Sequence, residues 1–188
     1  GANILGGRSV AIGNAALEAQ NYSTATDAYN VAIGHGTGEA VTTGTRNTLI
    51  GGLAGDALTT GSFNTAFGYA ALSTEDTANN NTAFGYAALT TLNGGTQNVA
   101  VGQSAAAAMT TGNGNTLIGT NAGDSLTDAD RNIAIGYLAL PADTLGSRSI
   151  AIGIGALEVQ NFTSATNTYN IAIGYDTGNS IETGVKNT

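Results

Sequence analysis

The chain contains no cysteine and no tryptophan, and only one proline (Pro141), one histidine (His35) and one methionine (Met109). Without cysteine there is no disulfide framework and no thiolate metal site. A single histidine and no cysteine leave little from which to build a nucleophilic triad or a metal cage. Charge is scarce as well: Asp, Glu, Lys and Arg make up 10% of the 188 residues, against about a quarter in ordinary domains. The balance is acidic, 13 acids to 5 bases for a net charge of −8. That argues against nucleic acid, whose phosphates need a basic surface, and against an anionic membrane. No apolar run approaches the roughly 20 residues that cross a bilayer as a helix, so no membrane insertion is expected of this segment. The first residue is glycine, and Asn187–Thr188 open a further unit. The expectation is therefore one repeat domain over 1–188, a slice of a longer array.

What is abundant is glycine, 28 residues, and it is periodic. The stretch "NTAFGYAAL" occupies 64–72 and recurs unchanged at 81–89. Its core, an apolar pair before glycine, recurs with Gly13, Gly34, Gly51, Gly68, Gly85, Gly102, Gly119, Gly136, Gly153 and Gly174. The spacing is 21 residues, then 17 seven times, then 21. A fixed period near 20 is the mark of a solenoid. A longer period overlies it: residues 8–48 align without gaps on 148–188, with 23 of 41 positions identical, a shift of 140. The 21-residue unit is thus a regular feature of an eight-unit super-repeat.

Positions can be numbered from the motif glycine as zero. Position −1 is Ile, Phe or Val, position −2 Ala or Leu, and position −3 Val, Ile or Thr. Such β-branched runs read as strand, and the glycine permits a sharp bend. A second short run follows in two forms. One is Ala-Leu at +3 and +4; the other has Gly at +4 and an aliphatic at +7, as in Ala54/Gly55/Leu58. The reading is two short strands and two bends per coil: an all-β, parallel β-solenoid of 17-residue coils with occasional 21-residue coils, containing no helix.

Position −4 is Asn in eight units: Asn30, Asn47, Asn64, Asn81, Asn98, Asn115, Asn132 and Asn170. Coils stacked about 4.8 Å apart would align these side chains into a structural ladder. All five bases stand at −5 and five of the acids at +5, which places charge at particular corners as a solvated edge. The −1 residues Ile12, Ile33, Ile50, Phe67, Phe84, Val101, Ile118, Ile135, Ile152 and Ile173 are expected to point inward as the core, leaving the small, flat Ala face of the strands outside. Strands apolar on both faces are usually covered on both. That predicts a homo-oligomer with its axis along the solenoid, and neighbouring repeats at either end.

Units such as "NTAFGYAALTTLNGGTQ" and "SIAIGIGALEVQ" resemble the left-handed parallel β-roll heads of trimeric autotransporter (YadA-like) adhesins and the 17-residue repeats of bacteriophage tail fibres. The resemblance covers about residues 8–188. It implies a left-handed trimer of β-rolls, an extracellular location on a cell or virion surface, and a role in reaching and gripping a target. It carries over no catalytic residue and no cofactor.

The functional expectation is therefore a structural and adhesive fibre segment, not an enzyme, with no cofactor and no metal. Its partners would be copies of itself and a cell-surface glycan or protein receptor. The candidate contact surface is the pair of insertions around Tyr22 and Phe162, together with a stripe at +1 formed by Tyr69, Tyr86, Tyr137 and Tyr175. Stacking of these rings on one another is the plainer account of the stripe. Two alternatives stand beside this. One is an ice-binding solenoid, which needs a flat Thr/Asn array on an exposed sheet. The other is a non-catalytic stalk of a fibre that carries a polysaccharide-degrading domain elsewhere.

Overall fold

The computed structural model describes residues 6–74 and 77–188. Its strands in chain order are β1 (Gly6–Gly7), β2 (Val10–Ile12), β3 (Thr26–Asp27), β4 (Val31–Ile33), β5 (Thr48–Ile50), β6 (Thr65–Phe67), β7 (Thr82–Phe84), β8 (Val99–Val101), β9 (Thr116–Ile118), β10 (Ile133–Ile135), β11 (Gly146–Ser147), β12 (Ile150–Ile152), β13 (Thr166–Asn167) and β14 (Ile171–Ile173). The ten three-residue strands form one parallel sheet in the order β2-β4-β5-β6-β7-β8-β9-β10-β12-β14. Pairing is in step with the repeat: Thr65 faces Thr82, Ala66 faces Ala83 and Phe67 faces Phe84. Of the four two-residue strands, β3 and β13 belong to the 21-residue coils, and each pairs with a strand of the preceding coil, β1 and β11. The molecule is a β-solenoid.

Among the described residues each coil holds one three-residue strand, and the regular second strand expected of every coil is absent. The second apolar run is a chain of turns, because +2 and +4 are left-handed: Ala70 and Leu72 have φ of 53° and 55°, Ala87 and Leu89 of 53° and 51°. Its backbone still bonds from coil to coil, as Leu72 N–H does to the Ala88 carbonyl at 3.0 Å. Position −5 is left-handed too, at Arg8, Tyr29, Arg46 and Phe63 among others. None of these three columns contains Val, Ile or Thr, the residues least tolerant of positive φ. The motif glycine has φ near 135°. A Cβ on Gly85 would lie 2.4 Å from the Gly102 carbonyl oxygen, so glycine there is dictated by the close approach of the next coil.

The expected core is inverted. The −2 residues Ala32, Leu49, Ala66, Ala83, Leu117, Ala134 and Ala151 are wholly buried. The −1 residues Ile12, Ile33, Phe67, Phe84, Ile118 and Ile173 are exposed, and Ile50, Val101, Ile135 and Ile152 are half-buried at the surface. The reason is space. Inside each coil the −2 side chain must share a narrow lumen with the residues at +3, +4 and +7, and Ile or Phe at every level would overfill it. The lumen is filled by trade. Where −2 is Leu (Leu49, Leu117), +4 is Gly (Gly55, Gly123), and a Cβ on either glycine would lie 2.9 Å from that leucine. Where −2 is Ala, +4 is a buried Leu in several coils (Ala66/Leu72, Ala83/Leu89, Ala134/Leu140), while Ala32 and Ala172 accompany Gly38 and Gly178, where a Cβ would lie 2.8 Å from a leucine of an adjacent coil, Leu49 or Leu157. Each fully buried leucine contributes about 1.5–3 kcal/mol.

Candidate functional site

The Asn column is the clearest device in the structure, and it is structural. Its members are buried. Each Oδ1 accepts the backbone N–H of the next Asn: Asn64 from Asn81 at 3.0 Å, Asn81 from Asn98 at 3.0 Å. Each Nδ2 donates across the lumen, Asn64 to the Ala78 carbonyl at 2.9 Å and Asn81 to the Gly95 carbonyl at 2.9 Å. The ladder therefore runs mainly from side chain to backbone. Direct amide-to-amide bonds join it in places, such as Asn115 Nδ2 to Asn98 Oδ1 at 3.0 Å. It satisfies backbone groups that a lumen too narrow for a second strand would leave unpaired.

The ladder is rebuilt at the 21-residue coils, where Ser9 and Ser149 replace Asn. Buried Gln160 donates to Asp143 Oδ2 at 2.6 Å and to Ser149 Oγ at 2.9 Å, and accepts from Asn170 Nδ2 at 2.7 Å. Buried Asp143 also accepts from the N–H groups of Gly146 and Phe162, both at 3.0 Å. The proposed contact residues Tyr22 and Phe162 are drawn into this region and are buried. The four extra residues widen the coil, and the ring fills the added space. Tyr22 Oη donates to the Gly44 carbonyl at 2.6 Å, and burial raises the phenol above its ordinary value. What projects from the insertions is Ser23–Thr24–Ala25 and Thr163–Ser164–Ala165.

The +1 stripe is exposed. Tyr69, Tyr86 and Tyr137 lie open, and Tyr175 is 75% exposed. Tyr69 and Tyr86 stack with ring centres 5.9 Å apart and planes 11° apart, as the plainer reading expects. Phe67 and Phe84, on the strand face, stack more closely at 4.6 Å and 7°.

One row went unread in the sequence. At −5 the bases alternate with aromatics: the Arg46 guanidinium lies 5.9 Å from the Tyr29 ring and 5.3 Å from the Phe63 ring, and Arg148 lies 5.7 Å from Tyr169. Arg8 stands 5.5 Å from Tyr29, donates to its hydroxyl and pairs with Asp27 at 3.3 Å. The sequence carries the signal in the column Arg8, Tyr29, Arg46, Phe63, where bases alternate with rings.

On the acidic corner, Glu18, Glu39 and Asp56 stand on three successive coils and line a shallow groove with Ala19, Ala40 and Ala57. Glu18, Glu39 and Glu158 are exposed, as on a solvated edge, whereas Asp56 and Asp124 are half-buried. Burial raises Asp56, and neighbouring Glu39 adds to this, while the N–H groups of Asp56 and Ala57 oppose it. Burial likewise raises Asp124, opposed by the N–H groups of Asp124 and Ser125. The Oδ1 atom of each is buried with no hydrogen-bond partner. Among the described residues no three His, Cys, Asp or Glu side chains gather in a way that could hold a metal ion.

The fold and its columns define the class, a β-solenoid repeat protein. No protein-family model, no curated protein and no solved structure matches the chain.

Proposed function

We propose that this chain is a structural and adhesive segment of an extracellular fibre, on a cell or virion surface, and that it self-associates as a trimer. The observation that supports this reading most is the outer strand face. Ten in-register strands present Val, Ile, Thr and Phe to solvent along the whole stack, with Phe67 43% and Phe84 48% exposed. Contiguous apolar surface of this extent marks an interaction site. The overturned core assignment strengthens the argument for oligomers, since the face left outside is the larger and more apolar of the two. The exposed tyrosines and the Ser23–Ala25 and Thr163–Ala165 tips supply the surface for a glycan or protein receptor, because sugars stack on aromatic rings and loops carry binding.

The test is the mass of the 188-residue chain in solution by light scattering. Three copies of 18.6 kDa give about 56 kDa for a closed cyclic trimer. A monomer at all accessible concentrations would overturn the fibre reading. Receptor contact is tested by binding to surface polysaccharides, with loss expected in Tyr69→Ala/Tyr86→Ala at unchanged mass. A second reading, ice binding, draws on Thr48 and Thr65 being exposed on a regular sheet. The protruding Phe67 and Phe84 break its flatness, and thermal hysteresis of the monomer would support it.

A further inference from the structure

Resting on the reading of the chain as an adhesive segment, we infer that two base–ring–base triplets in the −5 column, Arg8/Tyr29/Arg46 and Arg148/Tyr169/Lys186, bind an acidic polysaccharide that carries a carboxylate on alternate sugars and runs along the solenoid axis.

The first argument is where the positive charge sits. The net charge is −8, yet all five bases fall in this one column, while five of the acids stand at +5. Among the described residues only two acids pair with these bases, Asp27 with Arg8 at 3.3 Å and Asp130 with Arg131 at 3.8 Å. In the second triplet Asn167 takes the place of Asp27, so two bases stand there without an ion pair. The second argument is that the cations are held ready. The Arg46 guanidinium lies between the Tyr29 and Phe63 rings, 5.9 and 5.3 Å from their centres. It is exposed, and among the described residues its N–H groups reach no acceptor. Arg148 lies 5.7 Å from the Tyr169 ring, and only its Nε is engaged, donating to Asn167 at 2.9 Å. Rings that already hold a guanidinium remove part of the ordering cost of binding. The free fork then meets a carboxylate through two parallel hydrogen bonds.

The backbone does not ask for these residues. Position −5 is left-handed, with φ of 53° at Tyr29, 58° at Arg46 and 66° at Arg148. Asn and Gly adopt that conformation at least cost, and Asn80 and Gly114 hold it in coils between the triplets. Yet base, ring and base recur after 140 residues, Arg8 as Arg148, Tyr29 as Tyr169 and Arg46 as Lys186, across segments in which only 23 of 41 positions are identical. The spacing selects the ligand. Within a triplet the bases are two coils apart, about 9.6 Å at the stacking distance, which is close to the length of a disaccharide. A chain of sugars with one carboxylate in every two therefore meets both bases of a triplet when it lies along the stack.

The experiment measures binding of hyaluronan oligosaccharides, which carry one carboxylate per disaccharide and no sulfate, to the 188-residue chain at low salt. Neutral dextran and polyglutamate serve as comparisons. The parent chain is set against Arg46→Gln/Lys186→Gln, which removes charge, and Tyr29→Leu/Tyr169→Leu, which keeps all charge and removes the rings. All four positions are exposed, so unchanged circular dichroism and unchanged mass are expected. If one variant fails to fold, the other carries the test. The expected result is saturable hyaluronan binding that weakens roughly tenfold in each variant, falls with added salt and is matched by neither dextran nor polyglutamate. No binding to the parent chain, or equal affinity in both variants, would overturn the proposal. Equal binding of dextran would remove its charge basis, and equal binding of polyglutamate its sugar spacing. Loss in only one folded variant would overturn the joint role of base and ring. A changed mass in either variant would overturn it by making the column a contact between copies. The adhesive reading is decided separately, by the mass of the parent chain and by Tyr69→Ala/Tyr86→Ala.

Discussion

Asn81→Ala should destabilise its two neighbouring coils far more than the size of the deletion suggests. Asn81 is 1% exposed. Its Oδ1 accepts the Asn98 backbone N–H at 3.0 Å, and its Nδ2 donates to the Gly95 carbonyl at 2.9 Å. Alanine removes both partners at once and leaves two buried backbone groups unpaired. Each such group costs about 1–3 kcal/mol, so the expected loss is about 2–6 kcal/mol before any cavity term. The Asn98 amide group loses less, because its Nδ2 also donates to the Gly112 carbonyl at 2.7 Å. In a solenoid each coil touches only its neighbours, so the damage is local. The assay is therefore amide hydrogen exchange read residue by residue, with urea denaturation alongside. Protection should collapse at Asn98 and across the 69–102 coils and persist at Ile150–Ile152. A loss under about 1 kcal/mol, or protection falling evenly along the chain, would refute the view that the ladder sustains the lumen.

Three further outcomes follow from the same geometry. Gly85→Ala should cost roughly 2–4 kcal/mol, because φ is +141° and the added Cβ would meet the Gly102 carbonyl oxygen at 2.4 Å; melting near wild type would refute the close-approach account. Ala83→Asp should abolish folding while Phe84→Asp folds, since Ala83 is wholly buried and Phe84 is 48% exposed; circular dichroism of the pair decides, and the reverse order would place −1, not −2, in the core. Asp56 and Asp124 are raised by burial, so the folded state holds their protons more tightly than the unfolded one. Their favourable contribution is complete below the ordinary aspartate value of 3.8 and is lost as pH rises through the raised folded values. Asp56→Asn/Asp124→Asn should therefore melt higher than the parent at neutral pH and show a flatter pH dependence; an equal or lower melting point there would show that these carboxylates are well satisfied when charged.

The solenoid was legible because periodicity is a one-dimensional property, and ten glycines at steps of 17 and 21 state it without any knowledge of packing. The Asn ladder was legible for the same reason. The inside and outside of the strand are not legible from size and apolarity alone, because in most strands the larger apolar residues face outward. Alternation along a strand does separate them, since Asn at −4 and Ala or Leu at −2 must share a face, and a ladder of eight amides stacked in register belongs in the interior. The second strand was misread because Ala-Leu runs do not distinguish extended from left-handed backbone. The absence of β-branched residues from +2, +4 and −5 does make that distinction. Tyr22 and Phe162 were assigned to projecting loops because an insertion was taken to bulge outward, whereas a wider coil has a larger lumen that needs a ring to fill it.

These corrections share one physical origin, and it bears on what the chain does. A globular domain buries its largest apolar side chains first, because its interior grows with the length of its chain. A 17-residue coil has a lumen that admits about two leucines per level, as Leu49 with Leu58 and Leu89 with Leu92 show, and the rest of its apolar inventory has nowhere to go within the chain. Phe67, Phe84 and the Ile column are therefore left outside by geometry, and keeping them there over ten successive coils is costly in water unless something covers them. The lumen is filled from −2, +3, +4 and +7 without drawing on −1, so the outer column could be polar without any loss inside. That it is apolar in every coil, and free of charge in every coil, is the feature that a lone solenoid does not need and an assembled one does.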